Sequence, residues 1–289
     1  MANPAVVLKV GPPGPKFPIS EQCEMPKIAV TAELQNFTPD PKAPPIQYQW
    51  KVTLIFNGQG CLHATQRIIK HDDIAKFTTH PMNKLDLQFT QVRGGALTIS
   101  VTVPIPGGTV LTDSTKNLLV TGTNPSVAAL ATFATSNVAN TPAFRKLMRV
   151  ESGLKQFLSD TCPFFSEDNK GRVGLCQLTK DPIPTDDQFW SWKENVKGGW
   201  DLYKKKEKEA RNHMNNVRKG DEFKALVKIY NEKRRAKLAA AAAAKTDAGA
   251  AAPIKDLEIE LPEYTDEQLE RDTVRFQRVR RNTRISCES

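Results

Sequence analysis

Strict alternation of apolar and polar residues marks the first 122 residues as β structure. In Gln47-Tyr-Gln-Trp-Lys-Val-Thr-Leu-Ile-Phe56, the side chains of Tyr48, Trp50, Val52 and Leu54 share one face of a strand. Residues 96–103 alternate in the same way, and 28–34, 85–89 and 118–121 complete the set. Asn57-Gly58, Gly94-Gly95 and Pro106-Gly107-Gly108 supply the turns between them. Short strands at this spacing predict a small sandwich of immunoglobulin-like kind. His71-Asp72-Asp73 reads as a polar loop. This half carries no catalytic constellation, so binding or positioning is its expected job.

After Thr121-Gly-Thr-Asn-Pro-Ser126 the period changes from two to that of helices. Pro125 and Ser126 can start a helix whose uncharged residues 127–134 are expected to be buried. Thr141 as N-cap with Pro142 in the first helical position opens a second. Phe144, Leu147, Met148, Glu151 and Leu154 follow at i, i+3, i+4, i+7 and i+10, which puts Glu151 on the apolar face. Ser152 and Gly153 then end the helix. A carboxylate so placed is either protonated or paired. The protonated form is what a general acid at neutral pH requires, and a Glu paired with a nearby Arg or Lys is the purely structural alternative. Residues 164–179 form a polar, glycine-containing loop ending in Gly174-Leu175-Cys176-Gln177, where Gln177 is suited to hydrogen-bond sugar amides or hydroxyls.

Thr185-Asp-Asp-Gln188 is a capping box. The helix it opens carries Phe189, Trp192, Val196, Trp200 and Tyr203 as a core stripe, with Trp190 off the stripe as the sugar-contact candidate. Gly198-Gly199 inside that helix costs about 1 kcal/mol per Gly against Ala, which close packing of another helix would justify. Residues 204–237 read as a basic helical segment, and 238–253 as an Ala-rich linker. Residues 257–262 read as a short extended piece, and Thr265-Asp-Glu-Gln268 as the capping box of a last helix.

Composition adds bounds. The 289 residues, 39% hydrophobic and 25% charged, leave room for two domains, placed at 1–122 and 123–289, in an α+β chain. No stretch approaches the ~18 apolar residues of a membrane helix. Met1-Ala-Asn-Pro-Ala-Val-Val-Leu8 lacks the basic and apolar regions of a signal peptide, so action outside the cytoplasm requires another route. Of the net charge of +9, residues 193–237 supply most, with 15 Lys/Arg against 7 Asp/Glu. Without a recognition motif this patch reads as a solvated helical face rather than a nucleic-acid site. The five cysteines form no C-x-x-C pair and have no His at ligand spacing, which argues against zinc. Two arrangements remain: Cys23–Cys61 and Cys162–Cys176 bridges in an oxidising compartment, or five reduced thiols.

Glu151-Ser152 followed about two dozen residues later by Gly174-Leu175-Cys176-Gln177 resembles the Glu-Ser and Gly-Leu-Met-Gln motifs of the soluble lytic transglycosylase family, with Cys176 in place of Met. The resemblance spans roughly residues 141–203. It implies a goose-lysozyme-like helical fold and cleavage of the β-1,4 bond between N-acetylmuramic acid and N-acetylglucosamine in peptidoglycan. It implies Glu151 as the single acid/base, Ser152, Gly174 and Gln177 as residues shaping the site, and no metal or cofactor. Delivery by a phage particle or a secretion machine would then supply the missing export route. The family's late Tyr-Asn-Gly element has no counterpart: Tyr230-Asn231 lacks the Gly, and residues 277–289 form a basic tail. A shortened or frame-shifted end and a cleft lacking one wall are the expectation. The alternative is a catalytically impaired module that holds glycan or serves as a structural part of such a particle.

Overall fold

The computed structural model describes residues 2–61, 68–138, 142–166, 171–179, 184–243, 265 and 268, with the backbone alone for 59, 68–80, 214, 215, 218 and 242. Its strands are β1 (Ala5–Gly11), β2 (Lys16–Pro18), β3 (Ala29–Gln35), β4 (Tyr48–Asn57), β5 (Ile68–His80), β6 (Lys84–Asp86), β7 (Gly95–Pro104), β8 (Val110–Ser114), β9 (Leu118–Thr121), β10 (Phe157–Ser159) and β11 (Cys162–Pro163). Its helices are α1 (Val127–Asn137), α2 (Pro142–Ser152), α3 (Asp186–Trp190), α4 (Trp192–Lys219) and α5 (Asp221–Ala243). Strands dominate the first part and helices the second, an α+β arrangement. The chain divides by compactness into residues 1–200 and 201–289, so the boundary expected at 122/123 falls inside the first unit.

Within the first unit, β1, β3 and β6 form one sheet, and a second runs β2-β9-β7-β4-β5 with β8 also on β7. The centre of the larger sheet follows the hydrophobic alternation. Trp50, Val52 and Leu54 of β4 stand opposite Val101, Ile99 and Leu97 of β7, and all six are buried. Their shared face is what fixes the register, because a one-residue slip would turn the whole set to solvent. Two expectations change. His71, Asp72 and Asp73 are not in a loop but within β5, whose place at the end of the strand order tolerates charge that a central strand would not. The short β2 has only Phe17 buried among its three residues, too brief a pattern to read as a strand.

The helices begin and end where their local chemistry dictates. Ser126 caps α1 by accepting from the Ala129 N–H at 3.1 Å, and the Glu21 carboxylate accepts from the Ser126 N–H at 2.6 Å. That contact draws the Glu21 carboxyl below its usual range. Thr185 and Gln188 form the expected capping box, in which the Thr185 N–H donates to Gln188 Oε1 at 3.0 Å. The helix it opens is interrupted at Ser191, separating α3 from α4. At the chain's far end Thr265 and Gln268 exchange both capping hydrogen bonds, at 3.0 and 3.2 Å. The first part of the alanine run is not linker: Leu238 to Ala243 continue α5, as alanine's high helix propensity favours. Thr141, residues 257–262 and the tail 277–289 lie outside the described residues.

The sheets and the first helical segments fold as one unit because many ties join them. The disulfide is Cys61–Cys162, which replaces both expected pairings; Cys23 and Cys176 are free. Thr123 Oγ1 donates to the Ile19 carbonyl at 2.7 Å. Trp192 Nε1 donates to the Glu21 carbonyl at 2.7 Å, and Arg93 pairs with Asp186 at 2.6 Å.

Candidate active site

Glu151 occupies the last turn of α2. The buried face of that helix consists of Ala143, Phe144, Leu147, Met148 and Ser152; of the residues the spacing put on it, Phe144, Leu147 and Met148 are buried, while Leu154 lies past the helix end. Glu151 itself is half-buried. The helix stops because Gly153 adopts φ +62°, a left-handed conformation that costs glycine little, and its N–H closes on the Arg149 carbonyl at 3.0 Å. Leu154 follows with φ +64°.

Ser152 joins the helix end to the Gly174–Gln177 turn. Its hydroxyl lies 3.1 Å from the Met148 carbonyl and 2.9 Å from the Leu175 carbonyl, a donor shared between the helix and the turn. The turn in turn rests on two buried amides that sequence reasoning missed. Gln156 accepts from the Leu175 N–H at 3.2 Å and donates to the carbonyls of Phe189 and Gln188 at 2.9 and 3.1 Å. Asn195 accepts from the Cys176 N–H at 2.9 Å and donates to the carbonyls of Val173 and Gln188, both at 3.1 Å. Each amide therefore fills its own hydrogen-bonding capacity and that of backbone with no water to turn to. Asn195 carried a signal: it lies three residues after Trp192, on the buried face of the helix. Gln156 lies in irregular chain and carried none.

Gly174 is demanded twice. Its φ is +74°, and a Cβ there would collide with the Asn195 and Gln156 amides. Cys176 is buried against α4 at Gly199, where an added Cβ would strike the Cys176 sulfur. The helical glycine thus admits the turn rather than another helix. Burial, and secondly the negative charge of Glu151, push the Cys176 thiol well above its ordinary range. It stays protonated and is no nucleophile, and the effect places the Glu151 charge within electrostatic reach of the turn.

Two expected sugar contacts sit differently from their sequence reading. Gln177 is 4% exposed, and its amide nitrogen donates to the Gly174 carbonyl at 2.9 Å, closing the turn on itself. Trp190 is 1% exposed. It packs edge-on to Phe56 at 5.3 Å and against Phe157 at 5.6 Å, with Gly94 leaving room for its ring. Being off the α4 stripe did not bring it to the surface, because the sheet covers it. The stripe is core as expected: Phe189, Trp192, Val196 and Tyr203 are buried. Glu151, Ser152 and Gly174 are therefore brought together, Gln177 supports the turn from inside, and Trp190 belongs to the interior.

Among the described residues no group of three or more His, Cys, Asp or Glu is placed to hold a metal, and no helix is long and apolar enough to cross a membrane. Compared with family models, curated proteins and solved structures, the chain matches none.

Proposed function

We propose that this chain is a lytic transglycosylase that cleaves the glycan of peptidoglycan, with Glu151 as its single acid/base. The observation that carries the reading is the Ser152 hydrogen bond to the Leu175 carbonyl, 2.9 Å long. It joins Glu151-Ser152 to Gly174-Leu175-Cys176-Gln177, the two pieces on which the family resemblance rests. In the proposed reaction the Glu151 carboxyl gives its proton to the glycosidic oxygen as the bond from C1 of N-acetylmuramic acid breaks. The resulting carboxylate accepts the proton of that sugar's 6-hydroxyl as its oxygen bonds to C1, closing a 1,6-anhydro ring and restoring the acid. No water is consumed. We read the two sheets as an immunoglobulin-like sandwich that binds or positions substrate.

The site of action follows from the substrate: the cell wall. The Cys61–Cys162 bridge supports an oxidising destination.

The test is clearing of purified sacculi by the protein and by Glu151→Gln. The substitution should lower the rate by about 10²–10⁴-fold, the usual contribution of a positioned acid/base, and mass spectrometry should find anhydro ends. Equal clearing by both proteins removes Glu151 from the mechanism. A second reading, a catalytically impaired glycan-holding or structural module, is favoured by one observation: Gln177 and Trp190 are both buried, so neither lines an open subsite. Sedimentation with sacculi, without clearing by either protein, would select it.

A further inference from the structure

α1 was expected to be buried throughout, yet only Leu130 and Ala134 of its residues are. Between α1 and α2 runs a half-open groove of about 550 Å³, within the range of small-ligand sites. Its floor is Leu130, Ala134 and Met148, all buried. Its lips are Val127 and Val150, 67% and 52% exposed, the kind of apolar exposure that marks a contact surface. The α1 wall has no charged residue, whereas α2 contributes Arg145, Lys146 and Arg149. No carboxylate lines the groove, and among the described residues these three cations make no ion pair. Glu151 is not among the residues that line the groove, although its neighbours Met148, Arg149 and Val150 are.

We propose that this groove is a second binding site, and that it takes a short acidic peptide with small apolar side chains: the stem peptide of peptidoglycan. The proposal rests on peptidoglycan being the substrate, but not on Glu151 being its acid. Three cations with no ion pair among the described residues select carboxylates, which the stem carries, and the floor of alanine, leucine and methionine suits its methyl groups. Length agrees too. Each wall is an 11-residue helix, about 16 Å long at 1.5 Å per residue. That spans four or five extended residues at about 3.4 Å each, the length of a stem peptide. Held there, a peptide would anchor the strand while Glu151 works on the glycan.

The probe is a disaccharide–tetrapeptide muropeptide, titrated against the full chain carrying Glu151→Gln to prevent turnover, with the peptide-free disaccharide as comparison. The peptide-bearing probe should bind tighter. Reversing two rim charges, Arg145→Glu with Arg149→Glu, should weaken it by about tenfold or more. Ala131→Phe, which fills the groove without changing charge, should do the same, with an unchanged melting curve showing that the fold persists. Equal affinity for both probes, or unaltered muropeptide binding in both variants, overturns the site. Charge-dependent capture on phosphatidylglycerol vesicles without muropeptide binding also overturns it and reassigns the groove to lipid. Sacculus clearing that is unaffected by Glu151→Gln, beside groove-dependent muropeptide binding, rejects the acid and leaves this site standing.

Discussion

Cys176 shows how much the surroundings of one side chain decide. A thiol between a polar loop and a helix reads as soft, neutral filling, and its titration is set by burial and by the charge of Glu151. In the unfolded chain it titrates near the ordinary thiol pKa; in the folded chain it holds its proton to higher pH. Below the unfolded value both states carry the proton and the contribution to stability is whole. Above it the unfolded state alone loses the proton, so stability falls as pH rises, at up to about 1.4 kcal/mol per pH unit. Urea unfolding of the protein and of Cys176→Ala should therefore converge as pH is raised from 8 to 10. Curves that stay parallel across that interval would contradict the burial of the thiol. The same neighbourhood explains why Gln177 reads as a sugar ligand in sequence and serves as a brace in space: an amide has the same donors for either task.

At the scale of elements, adjacent glycines in α4 carry different loads. Gly-to-Ala inside a helix gains about 1 kcal/mol from propensity alone. At Gly198 the nearest obstacle to a Cβ is the end of the Gln188 side chain, with Leu178 Cδ1 next at 3.1 Å; displacing Gln188 loosens one exposed capping hydrogen bond, a cost of the same size as the propensity gain. At Gly199 it is the sulfur and Cβ of Cys176, which the Asn195 hydrogen bond pins in place. Gly198→Ala should be near neutral. Gly199→Ala should destabilise by about 1–3 kcal/mol, the usual cost of overpacking a filled interior, and should slow any glycan cleavage by shifting the turn. Chemical denaturation of both variants checks the order; a stabilised Gly199→Ala would mean that the turn yields easily. Sequence located the glycine pair and predicted close packing, but a tight turn leaves no periodic signature, so the partner was not legible.

For the whole molecule, the disulfide links parts of the chain that are far apart in sequence. Cys61 follows β4 and Cys162 opens β11, 101 residues apart, so the bridge closes a loop containing most of the larger sheet and both α1 and α2. Reduction, or Cys61→Ser, should cost about 2–4 kcal/mol, seen as a lower midpoint in denaturant. Peptide mapping of the oxidised protein should recover the 61–162 pair, and a 23–61 or 162–176 peptide would contradict the topology. The ties of Thr123, Trp192 and Arg93 across the expected 122/123 boundary point the same way. That boundary is a change of secondary-structure period, and a change of period need not be a gap in packing.

Sequence alone determined the elements whose physics is local. Alternation placed β4 and β7 and their buried faces, Pro142 started α2, the 3.6-residue period set Glu151 beside the buried face of α2, and the aromatic stripe of α4 was core. Tertiary structure decided the rest, because those features depend on what lies across the chain: the cysteine pairing, the burial of Trp190 under the sheet, the half-covered α1, and the role of Gln156 and Asn195. The two amides make the clearest case. Nothing in either residue's own neighbourhood in sequence states that it must hold a turn, and only the unmet hydrogen bonds of a buried turn require it.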